Sequence, residues 1–307
     1  MKIGATSSDN RPKVATIGFF DGVHRGHRYL IEQVRAVAAR RGWASAVVTF
    51  PVHPAQVMSP EHSPALLNTC EEKLALLAQA GVDNCILLEF TLQLAALSAY
   101  EFMKLLKERY QIGALVIGYD HRFGHNRSEG FDDYVRYGAE LGMEVVPAMA
   151  FYGVDEEDAV SSSRIRKLLQ TGRVTEAKVC LGYEYFLQGM VVGGYRVGRT
   201  LGYPTANLEV DCPDKLIPAD GVYAVWVSVG GGCYGGMLSI GCRPTVANGP
   251  QRSIEVHIFD FHQNIYQHPM RLTFVCRTRN EMKFASVVEL SKQLQCDEVE
   301  IRQILGC

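Results

Sequence analysis

Residues 16–27 read Thr-Ile-Gly-Phe-Phe-Asp-Gly-Val-His-Arg-Gly-His, and this run limits the fold more than any other because it turns an apolar strand directly into a helix. Residues 14–17 are short, β-branched and apolar, whereas Leu30, Val34, Val37 and Ala38 recur at helical spacing from Gly26 up to Arg41. Gly18, Gly22 and Gly26 let backbone amides come close to a ligand, with Phe19, Phe20 and Asp21 filling the turn between the first two. The unpaired N–H groups and the positive dipole end of the helix favour an anion there. His24 and His27, three residues apart across Gly26, can add imidazole donors to the same phosphates. A lone turn of this kind is a weak signal, and a histidine near a helix start is more often a cap or a surface residue. The rest of the chain has to decide.

Apolar segments follow at 46–50, 85–88, 115–118 and 145–146, separated by helical patterns. Thr69 with Glu72 is a capping-box signature before residues 73–80, and Gly81 can end that helix. Ser98 with Glu101 repeats the device before 102–110, and a fourth helix ends near Gly142. Such alternation implies a parallel sheet with helices on both faces and ligands beyond the carboxyl ends of the strands. Two loops lie there: Gly118-Tyr-Asp-His-Arg-Phe-Gly124, which contains Asp120, and Phe50-Pro-Val-His53-Pro54. A third candidate is Ser161-Ser162-Ser163-Arg164-Ile-Arg166, where hydroxyls, free amides and guanidinium groups converge on one helix start. Serine in that position is also a common cap. The acidic residues 155–158 before it read as a solvated linker.

From Tyr183 the texture changes to strands and glycines. Residues 188–192, 222–229, 237–240, 254–259 and 272–275 are β-like with no helices between them, the pattern of an antiparallel barrel. The tail returns to helix at 286–295 and again after Asp297, where Asp297 and Glu300 read as a cap. The 307 residues therefore divide into two domains, 1–182 and 183–307. In the second, Gly193, Gly194, Gly198 and Gly202 would let a phosphate lie against the backbone beside Arg199, although a flexible hairpin has the same look. Pro204-Thr205-Ala-Asn207 then places a hydroxyl and an amide oxygen two residues apart, both hard ligands suited to magnesium. Within residues 253–259, Ile254, Val256 and Ile258 share one strand face, so Glu255 and His257 share the other. Glu255 could take a hydroxyl proton, and an acid on a solvent face would look the same.

Composition narrows the classes. A formal net charge of −2 without a basic stripe excludes a broad nucleic-acid surface. The nine cysteines are odd in number and never spaced Cys-x-x-Cys, so they read as reduced thiols with no zinc site or disulfide framework. No signal-peptide core and no membrane-length apolar run is present, and a cytoplasmic protein with small-molecule partners is expected. Oligomeric state is not set by these features.

The His-x-Gly-His turn, the 118–124 loop, the Ser-Ser-x-x-Ile-Arg run and the Pro-Thr-Ala-Asn segment occur in one order over residues 14–304. This arrangement resembles the bacterial bifunctional riboflavin kinase/FMN adenylyltransferases, also called FAD synthetases. The resemblance implies an N-terminal α/β, Rossmann-like nucleotidylyltransferase and a C-terminal antiparallel β-barrel of riboflavin-kinase type with terminal helices. It implies that Gly18, Phe19, Phe20, Asp21, Gly22, His24, Gly26, His27, Asp120, Ser161, Ser162, Ser163 and Arg166 bind ATP, with His24, His27 and Arg166 acting in adenylyl transfer. Phe50, His53, Pro54, Arg279 and Glu281 would bind flavin. Gly193, Gly198, Arg199, Gly202, Pro204, Thr205 and Asn207 would bind a second ATP, Thr205 and Asn207 through Mg2+, with Glu255 as catalytic base. Riboflavin, FMN and FAD would be the flavin substrates and products and ATP the co-substrate. Departures are Pro51-Val52, Ser239 where members commonly have Asn, and Gln267 where Gly usually follows the Tyr. His257 has no role on this reading.

Overall fold

The computed structural model describes residues 1–4, 11–118, 121–125, 128–151, 160–193, 202–243 and 251–307. Asp120, the acidic residues 155–158, Gly194, Gly198 and Arg199 lie outside the described residues. The chain divides into two compact units, Met1–Ser162 and Ser163–Cys307.

Unit 1 is built on six parallel strands, β1 (Lys2–Ile3), β2 (Lys13–Ile17), β3 (Ala44–Thr49), β4 (Asn84–Leu87), β5 (Ile112–Ile117) and β6 (Glu144–Pro147), in the order β1-β4-β3-β2-β5-β6. The described helices are α1 (Arg25–Arg41), α2 (Pro54–Met58), α3 (Cys70–Gln79), α4 (Leu92–Ala95), α5 (Ala99–Tyr110) and α6 (Phe131–Leu141). Both faces of the sheet are covered at its centre, so β2 and β3 are buried along their whole length. Ala15, Ile17, Leu115 and Ile117 pack with Phe102, Met103, Leu106 and Tyr134 of α5 and α6. Val14, Ala114 and Val116 turn the other way, onto Val34, Val37 and Ala38 of α1. Thr69 and Ser98 form complete capping boxes with Glu72 and Glu101, and Gly142 ends α6 in the left-handed conformation. Because β2 has β3 on one side and β5 on the other, the strand order reverses beside β2, where an open α/β sheet forms its ligand crevice.

In unit 2, α7 (Ser162–Gln170, its first residue assigned to unit 1) and α8 (Val174–Leu181) are separated at Gly172. Six strands follow: β7 (Phe186–Val192), β8 (Ala206–Glu209), β9 (Gly221–Val229), β10 (Gly232–Arg243), β11 (Gln251–Ile258) and β12 (Pro269–Arg279). They close an antiparallel barrel in the order β10-β11-β8-β7-β12-β9. Helix α9 (Val287–Leu305) packs Ile301 against the outer residues Val222, Ala224 and Met237.

The tail is one helix, not two. Asp297 does not cap a second segment, because its carboxylate accepts a forked pair from Arg279 at 2.6–3.0 Å and a further bond from Gln293 at 2.8 Å. Its side chain is 2% exposed, and the helix continues past it. Removing one partner strands the other charge in a low-dielectric site. Asp297→Ala is therefore expected to destabilise unit 2 by about 3 kcal/mol. Urea unfolding in a Trp43→Phe background, with Trp226 of β9 as reporter, measures this.

Candidate active sites

In unit 1 the turn after β2 is strained. Phe20 (φ 58°), Gly22 (φ 84°) and Val23 (φ 36°) all occupy positive φ, which a β-branched residue adopts only where the surroundings enforce it. The enforcing group is Asp21. Its buried carboxylate accepts from the amides of Leu67 (3.0 and 3.2 Å) and Asn68 (3.3 Å), while its carbonyl accepts from the Ser162 hydroxyl at 2.8 Å. The expected glycines divide their work. Gly22 takes the left-handed backbone, whereas a Cβ on Gly18 would press the Phe20 ring at 3.1 Å and one on Gly26 would press His24 at 3.3 Å.

The turn delivers His24 as the N-cap of α1, its Nδ1 accepting from the His27 amide at 3.3 Å, so in the neutral ring the proton sits on Nε2. The two imidazoles stack with centroids 3.6 Å apart, and Phe20 meets His27 at 5.1 Å. His27 Nδ1 is sealed from solvent and has no hydrogen-bond partner among the described residues. Burial lowers the His24 pKa from 6.5 to about 4. That of His27 falls well below its ordinary value, through burial first and then through His24 and Lys73. At neutral pH the pair is therefore uncharged, and each ring can offer a directional hydrogen bond without a positive charge.

Beside the histidines, Thr49 donates to the Phe19 carbonyl at 3.0 Å, linking the ends of β2 and β3. His53 caps α2, accepting from Ala55 at 3.1 Å just before Pro54, and its ring lies edge-on to Phe19 at 4.5 Å. The Phe50 carbonyl accepts from Lys73 of α3 at 2.6 Å. Lys73 was not singled out from the sequence, although it precedes the buried Leu76 and Leu77 by three and four residues and so lies on the apolar face of its helix. In the 118–124 loop, Phe123 stacks on Tyr134 at 4.1 Å. Ser163 and Arg166 lie on α7, in unit 2.

Unit 2 brings Thr205, Asn207 and Glu255 together. Asn207 of β8 is the cross-strand partner of Glu255 on β11, and the Thr205 hydroxyl donates to Glu255 Oε2 at 3.2 Å. Ile254, Val256 and Ile258 are buried within the barrel, so Glu255 and His257 face outward. The carboxylate of Glu281 is laid over Gly241, where a Cβ would stand 2.2 Å from Oε1; Gly241 lies two residues beyond Ser239, the partner of Glu255 on β10. Arg279 turns elsewhere, to Asp297. His257 gains a role, since Nδ1–H donates to the Pro204 carbonyl at 2.8 Å and its ring meets Tyr203 at 5.1 Å. Pro204 and Thr205 also line a cleft of about 390 Å³ with Val256, Ile258 and residues 261–266. Gly193 and Gly202 flank the undescribed residues 194–201, Gly202 in the left-handed conformation.

Family models match both halves in order: FAD synthetase over residues 6–164 and riboflavin kinase over 181–305. The chain belongs to the bifunctional riboflavin kinase/FMN adenylyltransferase family. Members so named in Listeria monocytogenes and Escherichia coli are 37% and 35% identical to this FAD synthetase family member, with 94% and 95% of this chain and 91% and 93% of theirs aligned. A crystal structure of a Streptococcus pneumoniae protein described as a macrolide-efflux protein superposes with a TM-score of 0.87 at 33% identity, over 98% of both chains. Among the described residues no helix is long and apolar enough to cross a membrane.

The two depressed histidines make unit 1 acid-sensitive. The unfolded chain takes up its protons first, so the stability is complete above pH 6.5 and is lost as pH falls toward 4. His24 alone is expected to account for about 2 kcal/mol between pH 7 and pH 5. Urea midpoints at the two pH values, with Trp43 as reporter in a Trp226→Phe background, should show this loss reduced in His24→Asn, which keeps a capping oxygen.

Proposed function

We propose that the two units divide one pathway between them, the barrel using the Thr205, Asn207 and Glu255 cluster and unit 1 using the His24 and His27 turn. The chain is a riboflavin kinase and FMN adenylyltransferase, forming FMN and ADP from riboflavin and ATP and then FAD and diphosphate from FMN and a second ATP. The observation that carries the residue assignment is the pairing of Asn207 with Glu255 across two strands, with the Thr205 hydroxyl on the same carboxylate.

In the kinase step Glu255 takes the proton of the flavin hydroxyl as its oxygen attacks the terminal phosphorus of ATP. The Thr205 hydroxyl orients that carboxylate, and His257 fixes the backbone at Pro204. Glu281 supplies a second acid on the flavin-side segment, and Arg279 anchors that segment through Asp297. Gly193, Gly198, Arg199 and Gly202 form the phosphate-side loop on the strength of the sequence motif.

Magnesium fits the donor set, because the Thr205 hydroxyl and the Asn207 amide oxygen are hard ligands that leave most of an octahedron to phosphates and water. When bound it would neutralise charge on the phosphates.

In unit 1 a phosphate oxygen of FMN attacks the α-phosphorus of ATP and diphosphate leaves. A phosphate monoester is already ionised at neutral pH, so alignment and charge dispersal do the work and no general base is needed. His24, His27 and the α1 amides receive the phosphates, with Ser161, Ser162, Ser163 and Arg166 assigned as further ligands from the sequence motif. Phe50, His53 and Pro54 line the flavin side. The free thiols at Cys70, Cys85, Cys180, Cys212, Cys233, Cys276, Cys296 and Cys307 support a reducing, cytoplasmic setting.

Pure protein incubated with riboflavin and Mg-ATP, with flavins separated by chromatography, tests the division. Glu255→Gln should slow FMN formation by about 100-fold or more while FAD still forms from supplied FMN. His27→Ala should give the converse, with FAD formation down roughly 100-fold and FMN formation intact. Equal loss of both steps in a folded variant contradicts the assignment.

A further inference from the structure

Lys73 is the most deeply placed cation of the unit 1 site that the mechanism leaves unused, at 2% exposure. Its ammonium donates to the Phe50 carbonyl at 2.6 Å and lies 3.8 Å from the centre of the Phe19 ring. No carboxylate among the described residues forms an ion pair with it. The titratable groups facing it are Asp21 from the turn after β2, His27 from α1, Cys85 from β4 and Cys70 on its own helix. Burying a cation with only a carbonyl and a ring as partners is unfavourable, and an apolar side chain would hold α3 against the sheet without that cost. What the charge adds is a link between two loops. Phe50 opens the loop that reaches His53, and Phe19 belongs to the turn that reaches His24. The Phe19 and His53 rings form a T-shaped pair with centroids 4.5 Å apart, so one ammonium fixes both sides of this aromatic wall.

We propose that Lys73 is a positioning residue for adenylyl transfer, setting Phe19 and Phe50 and supplying the fixed positive charge that favours the dianionic phosphate of FMN at the ends of β2 and β3. The proposal rests on the assignment of FAD formation to unit 1. Lys73 acts through its neighbours and the field it creates, without touching substrate. Burial brings its pKa down from 10.5 to about 8, so the charge is lost just above neutral pH. Burial pushes both neighbouring thiols, Cys70 and Cys85, up from their ordinary values, Cys85 to about 11, and His27 is already neutral over that range.

The test uses the full chain, so the kinase step is an internal control. In Lys73→Met, FMN formation from riboflavin should stay within twofold of wild type. The KM for FMN in FAD formation should rise at least fivefold, with kcat and the KM for ATP changing less than threefold. In wild type the KM for FMN should climb between pH 7 and pH 9, where the FMN phosphate does not titrate, and in Lys73→Met it should be flat. An FMN KM unchanged in the variant, or a flat wild-type profile, overturns the proposal. Should Lys73→Met fail to fold in unit 1, the wild-type profile alone decides. A wild-type chain that makes FMN and no FAD would overturn the unit 1 assignment together with the lysine's role, whereas full activity in both steps with an indifferent Lys73→Met removes only the lysine.

Discussion

One buried carboxylate holds the turn after β2 in shape. Asp21 accepts three amide contacts from Leu67 and Asn68, and its carbonyl accepts the Ser162 hydroxyl, so three segments distant in sequence meet at one residue. Left to itself, a turn with Phe20 and Val23 at positive φ would relax into the ordinary β or α regions. The amides at Asp21 offset that strain and deliver His24 to the end of α1, where it can cap the helix and stack on His27. The imidazole pair is thus a consequence of a carboxylate that the sequence reading treats as a ligand.

Much of the architecture was legible because local signals and burial agree. The capping boxes at Thr69 and Ser98 stand where Ser/Thr-x-x-Glu places them, and the alternation of apolar strands with helices matches the parallel sheet. Legibility failed where a long-range partner redirects a local preference. Asp297 and Glu300 have the spacing of a helix start, yet Arg279 arrives from β12 and claims the carboxylate, so the helix runs through. Strand β8 is only four residues long and hides inside a motif read for its ligands; its register, which sets Asn207 against Glu255, is a property of barrel closure. Lys73 lies on an apolar helix face, and only the folded chain shows what its ammonium reaches.

The departures from the family pattern also acquire physical content. Gln267 sits at φ 60°, a backbone region in which glycine is unstrained, so the usual residue there answers a conformational demand that glutamine meets at some cost. Its amide donates to the Val191 carbonyl at 2.9 Å, which keeps the turn in place without the glycine. Ser239 lies opposite Glu255 on β10, at a position where a shorter polar side chain changes the surroundings of that carboxylate and leaves the strand pairing intact.

The barrel is closed by β7 lying beside β12, with Met190 opposite Pro269 and Phe186 opposite Thr273. During synthesis the kinase half therefore stays an open sheet with raw edges until its sixth strand has left the ribosome, whereas the strands of unit 1 are complete once Pro147 has emerged. Nascent chains interrupted between these points would carry a finished parallel sheet joined to an adhesive, unsealed fragment. Translational stalling over this interval is accordingly an aggregation hazard that a finished first unit does nothing to relieve.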